Sequence, residues 1–113
     1  MLSKEGIEEY KLLKETALEI WQQDIEFLSE EVLDYPFDRF KIYFQLYGKF
    51  RIYLGYDRSI FALKLWEEEQ YVYLSRITSE HIYKGFESTK PENIRHNYLV
   101  LDKILKERLG KAL

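Results

Sequence analysis

The chain has 113 residues, 46% of them hydrophobic and 33% charged, with no cysteine and a net charge of −3. That length is close to the commonest domain size and can bury a real core, so one domain over residues 1–113 is expected. The absence of cysteine excludes a disulfide framework and thiolate metal sites, and fits a reducing, cytoplasmic setting. The opening MLSKEGIEEYKLL has no long apolar run behind a basic start, so no signal peptide is expected. No window approaches the ~20 apolar residues of a membrane span, and no membrane association is expected. Two features depart from the ordinary: aromatic residues make up 17% of the chain, ten of them Tyr, and charge is unevenly placed. Residues 1–38 carry three lysines against eleven acids, a net of −8; residues 39–113 carry fourteen Lys or Arg against nine acids, a net of +5. The richness in Lys, Glu, Ile and Tyr points to an AT-rich bacterial genome.

Ser3 can cap a helix whose apolar positions Ile7, Tyr10, Leu13, Ala17, Ile20, Trp21, Ile25, Leu28 and Val32 recur in steps of three and four. That stripe predicts one long helix reaching Leu33 before Pro36, with a break near Gln22–Asp24 as the alternative. Four strands follow. Phe40, Ile42, Phe44 and Leu46 share one face of the first; Phe50, Ile52 and Leu54 share one face of the second, and Tyr47-Gly48-Lys49 makes a loop of odd length that keeps the two faces together. A turn around Asp57-Arg58 sets Leu54 opposite Phe61, and a turn over Glu67–Gln70 sets Leu65 opposite Val72. After Ile77 a short helix capped by Thr78 or Ser79 is expected through Phe86. Pro91 then opens a final helix that Gly110 stops, with Ile94, Tyr98, Leu101, Leu105 and Leu109 as its buried stripe. The expected fold is α+β: a long N-terminal helix, a four-stranded antiparallel meander, and a short and a C-terminal helix, the helices covering one face of the sheet.

The same parity places Lys41, Tyr43, Gln45, Arg51, Tyr53, Ala62, Lys64, Trp66, Tyr71 and Tyr73 on the opposite face. Tyr43 is expected opposite Tyr53, Trp66 opposite Tyr71, Lys64 opposite Tyr73, and Arg51 opposite Lys64. Tyr and Trp suit strands for their own sake. A solvated face of Tyr, Trp and Arg is also the residue mix of protein-binding hot spots. The partner-binding candidates are therefore Lys41, Tyr43, Arg51, Tyr53, Lys64, Trp66, Tyr71 and Tyr73, with another protein or a second copy of the chain as occupant. Single-stranded nucleic acid is the alternative, since rings interleaved with cations can stack bases. The isoelectric point of about 5.5 argues against it. The helix–strands–helix order is similar to that of the double-stranded RNA-binding domain, but TKPENIRH offers only Lys90 and Arg95 where that module places a lysine cluster.

No chemistry-bearing constellation stands out. Glu92 and His96 share a helix face, yet His81 is the only other histidine and no further ligand has a recognisable spacing, so no metal site is expected. The five glycines form no phosphate loop, there is no Gly-x-Ser-x-Gly elbow, and the carboxylates of Trp66-Glu-Glu-Glu-Gln70 belong to a turn. The expectation is a small non-catalytic, cofactor-free protein-binding module of the inhibitor, immunity or regulatory type. The architecture resembles several small bacterial inhibitors and toxin-immunity proteins at the level of fold alone.

Overall fold

In a computed structural model, residues 1–111 are described. The first helix, α1 (Lys4–Trp21), starts where expected: the Ser3 hydroxyl accepts from the Gly6 amide at 3.1 Å, and the Ser3 amide donates to Asp38 at 3.0 Å. It ends twelve residues earlier than the long stripe implied. Gln22 takes φ 49°, a short 3-10 turn covers Gln22–Asp24, and the chain runs on as a strand, β1 (Ile25–Leu33). The sheet therefore has five strands rather than four: β1, β2 (Arg39–Leu46), β3 (Phe50–Asp57), β4 (Ile60–Glu67) and β5 (Gln70–Tyr73), antiparallel in the order β1-β2-β3-β4-β5. A short helix α2 (Leu74–Ile77) follows, then a 3-10 turn at Gly85–Thr89 and the last helix α3 (Pro91–Lys111).

β1 is an edge strand, and its features suit an edge. A bulge between Phe27 and Ser29 interrupts its pairing with β2. Beyond it Glu30 faces the helices, where the Lys14 ammonium bonds it at 2.5 Å and the Tyr10 hydroxyl donates to it at 2.6 Å. Burial works against the Glu30 carboxylate, but the bonds from Lys14 and Tyr10 outweigh that and hold it below its ordinary range. Inward charge and a bulge on a free edge discourage pairing with further strands.

The core lies between the sheet and the two long helices. Phe40, Ile42, Phe44 and Leu46, then Phe50, Ile52, Leu54 and Tyr56, then Phe61, Leu63 and Leu65 fill one sheet face, as the alternation required. Leu13, Ala17 and Trp21 of α1 and Ile94, Tyr98, Leu101 and Leu105 of α3 meet them. Trp21 and Tyr98 rings pack 5.2 Å apart, and the buried Tyr98 hydroxyl donates to the Leu13 carbonyl at 2.9 Å, so α1 and α3 are joined by packing and by a satisfied polar group. Such burial is worth about 1.5–3 kcal/mol for each large apolar side chain.

Beyond β5 the expected elements shift. Leu74, which the expected register would set opposite Leu63, is the buried first residue of α2, so β5 ends at Tyr73 and pairs with β4 only as far as Lys64. The helix expected from Thr78 or Ser79 to Phe86 is absent; the Thr78 hydroxyl accepts from the Glu80 amide at 3.0 Å and forms a local turn instead. The stretch is tied down by side chains. Asn97 clamps the Tyr83 backbone at both its amide (3.0 Å) and its carbonyl (3.1 Å), and the Ser88 hydroxyl accepts from the Phe61 amide at 3.1 Å. Ser88 thus satisfies a β4 edge group that β5 is too short to reach. Gly110 lies within α3 rather than ending it.

Candidate partner-binding face

α1 and α3 both pack on the apolar face, so among the described residues no helix covers the other side of the sheet, and the long acidic helix is not its lid. All eight candidate residues lie on that outer side. β2 and β3 place Tyr43 directly opposite Tyr53, and β4 and β5 place Lys64 opposite Tyr73 and Trp66 opposite Tyr71. Two expected pairs are corrected, Arg51 opposite Lys64 and Leu54 opposite Phe61; Leu54 instead pairs with Leu63 and Phe61 with Tyr56. The turn between β3 and β4 is Arg58-Ser59, one residue later than anticipated, which slides the register by two: Ile52 pairs with Leu65 and Tyr53 with Lys64. Arg51 and Lys64 are therefore not forced together. A shift of two keeps every side chain on its face, which is why parity alone did not reveal it. Both turn residues have positive φ, 48° and 66°, as a two-residue hairpin requires. Tertiary contacts hold them there: the Arg58 amide donates to the Asp38 carbonyl at 2.9 Å, and the Ser59 hydroxyl donates to Glu9 at 2.7 Å.

With that register the aromatic rings form a connected cluster. Tyr43 and Tyr53 meet edge to face at 5.3 Å, Tyr53 and Tyr71 lie 5.8 Å apart, Tyr43 and Tyr71 6.0 Å, and Tyr71 and Trp66 4.9 Å. Tyr43 and Tyr71 stand on strands separated by roughly 14 Å of sheet, so their side chains lean toward each other over β3 and β4. The cations sit among these rings. The Lys64 ammonium lies 5.1 Å from the Tyr53 ring centre and 4.4 Å from that of Tyr73, and the Arg51 guanidinium lies 6.0 Å from the Trp66 ring. Burial, followed by the neighbouring Tyr43, Tyr73 and Glu31, raises the Tyr53 hydroxyl above its ordinary value. Burial also raises Tyr71, with Arg51 acting the other way. These phenols stay neutral hydrogen-bond groups at physiological pH. The rings are not equally accessible: Trp66 is 40% and Tyr73 46% exposed, while Tyr43, Tyr53 and Tyr71 are half-buried among their neighbours.

Sequence reasoning missed three contributors. Gly55 lies under the Tyr53 ring, whose hydroxyl would be 2.7 Å from a Cβ at that position, so the glycine makes room for the ring to lie along the strand. Arg39, ahead of the first residue assigned to that strand from sequence, stands on the same outer face beside Asp57. β1 adds carboxylates at one margin, Glu26 opposite Gln45 and Glu31 opposite Lys41. The strand alternation of Ile25 and Phe27 was the available signal for β1, masked by the coincident helical spacing of Ile25, Leu28 and Val32.

The groups with chemical potential elsewhere serve the fold. Asp102 of α3 is buried and accepts from Trp21 Nε1 at 2.9 Å and from the Tyr47 hydroxyl, while Lys106 bonds its other oxygen at 3.1 Å. Burial works against its charge, but these three donors outweigh it and hold the carboxyl below its usual value. His96 Nε2 bonds the His81 backbone carbonyl at 2.8 Å, and Glu67 pairs with Arg108. Among the described residues no group of three His, Cys, Asp or Glu is placed to hold a metal ion, and no helix is long and apolar enough to cross a membrane. Compared with known proteins, the chain matches no family model, no curated sequence and no solved structure.

Proposed function

We propose that this chain is a small, non-catalytic, cytoplasmic protein-binding module, of the inhibitor, immunity or regulatory kind, that engages its partner through the outer sheet face. The observation that supports this reading is the connected ring cluster of Tyr43, Tyr53, Tyr71 and Trp66 on a face that no helix among the described residues covers. Rings of that kind, held rigid by one another, lose little conformational freedom on binding and supply large contact area. Trp66 and Tyr73, the most open of the set, would make the first contact, with Arg51 and Lys64 orienting an acidic region of the partner.

The experiment is affinity capture from the native host with the wild-type chain and with a Trp66→Ala/Tyr73→Ala double variant, the fold of each monitored by circular dichroism. A protein bound stoichiometrically by the wild type and lost in the folded double variant supports the reading. Capture unchanged by the double substitution overturns it. So does tight binding of labelled single-stranded oligonucleotides that weakens steeply with salt, which assigns the face to nucleic acid instead.

A further inference from the structure

Across the outer face, one row of the sheet carries only small residues on its two central strands: Gly55 of β3, with the Tyr53 ring leaning over it, stands directly opposite Ala62 of β4, and Lys41 of β2 ends the row. The row above carries Tyr53, Lys64 and Tyr73, and the row below begins with Arg39. The result is a trough of ≈ 340 Å³ with Arg39, Lys41 and Lys64 along it. Because β5 ends at Tyr73, the trough does not close at β4. Beside it, at the β4 edge that β5 leaves open, lies a second depression of ≈ 380 Å³, which shares Ile60, Ala62 and Tyr73 with the first and has Arg76 and Lys84 among its lining residues. None of these five cations is in an ion pair among the described residues. The Nε of Arg39 is shielded from solvent and has no acceptor among the described residues. The carboxylate that lines the trough, Asp57, is already held by Arg58 at 2.7 Å.

We propose that this trough and the depression beside it bind an acidic polypeptide segment, a short run of Asp or Glu side chains on the partner. The inference rests on the reading of the outer face as a partner surface and specifies the chemistry that the partner presents there. From Lys41 to Ala62 is two strand spacings, roughly 10 Å, so trough and depression together accommodate a few extended residues. Carboxylates there would pair the Arg39 guanidinium and the unpaired ammonium groups, converting uncompensated positive charge into charge-assisted hydrogen bonds. A polynucleotide fits less well, because Lys64 already occupies the faces of Tyr53 and Tyr73 on which a base would stack.

The test uses the full chain and a fluorescein-labelled hexaglutamate peptide, with hexaglutamine and a thymidine hexanucleotide as comparisons, read by anisotropy at low salt and located by amide NMR shifts. Saturable binding of hexaglutamate, shifts centred on Ala62 and Leu63, and a loss of tenfold or more in Arg39→Gln/Lys64→Gln support the proposal. The charge-matched control Lys4→Gln/Lys11→Gln on α1 should change affinity by less than twofold. Absence of saturable binding, an equal loss in the α1 control, or tighter binding of the hexanucleotide overturns it. Failure here with partner capture still dependent on Trp66 and Tyr73 removes the acidic-segment inference and leaves the protein-binding reading standing. Capture that ignores both residues removes the reading itself.

Discussion

Whether the outer aromatic cluster exists for the fold or for a partner can be decided by comparing Tyr71→Ala with Trp66→Ala. Tyr71 is the hub: its ring meets Trp66 at 4.9 Å, Tyr53 at 5.8 Å and Tyr43 at 6.0 Å. Aromatic pairs contribute about 0.5–1.5 kcal/mol each beyond area burial, and the lower half of that range applies on a partly solvated face. Tyr71→Ala should therefore cost roughly 2 kcal/mol of stability once its share of buried area is included. Trp66 touches one ring, that of Tyr71, and a guanidinium 6.0 Å away, and is 40% exposed. Its truncation should cost about 1 kcal/mol or less. Phe44→Ala, in the core, sets the upper reference at about 3–5 kcal/mol. Urea denaturation of the three variants, with a common dependence on denaturant, gives the order directly. Against the partner the order should reverse, with Trp66→Ala losing about 2 kcal/mol of binding or more. If Trp66→Ala destabilises the chain as much as Tyr71→Ala, the tryptophan is structural and the argument for a binding face loses its anchor.

Three further outcomes follow from the geometry. Asp102 titrates below its ordinary 3.8 because Trp21, Tyr47 and Lys106 outweigh the cost of its burial, so it stabilises the fold above that pH and the contribution disappears as pH falls through the depressed value. Asp102→Asn should flatten the acid limb of stability against pH, and Asp102→Ala should cost about 2–4 kcal/mol by leaving the buried Trp21 Nε1 without an acceptor; an unchanged acid limb in the Asn variant refutes the assignment. Gln22, at φ 49° and ψ −116°, occupies a region that favours glycine, so Gln22→Gly should stabilise by about 1 kcal/mol, seen as a raised urea midpoint. Gly55→Ala should leave stability within about 1 kcal/mol, because the Tyr53 ring can rotate away, yet shift the Tyr53 ring and Lys64 Nζ resonances strongly; unchanged spectra would mean that the ring does not lie on the glycine.

Most of the sheet was legible because alternation is a local property. Phe40 to Leu46, Phe50 to Leu54 and Phe61 to Leu65 announce which side is buried, and eight outer residues follow by parity alone. What alternation cannot carry is register, since a slide by two residues leaves every face unchanged. The Arg58-Ser59 turn was decided by distant groups, the Asp38 carbonyl and the Glu9 carboxylate, that hold two non-glycine residues at positive φ. β1 was hidden because Ile25, Leu28 and Val32 fit a helical stripe as well as Ile25 and Phe27 fit a strand, and only the open flank of β2 selects between them. The burial of Asp102 was equally invisible, since an aspartate on a helix reads as solvated until Trp21 and Tyr47 are folded against it. The trough belongs wholly to tertiary structure: a glycine and an alanine seven residues apart form its floor only because the strands pair in that register and β5 stops short.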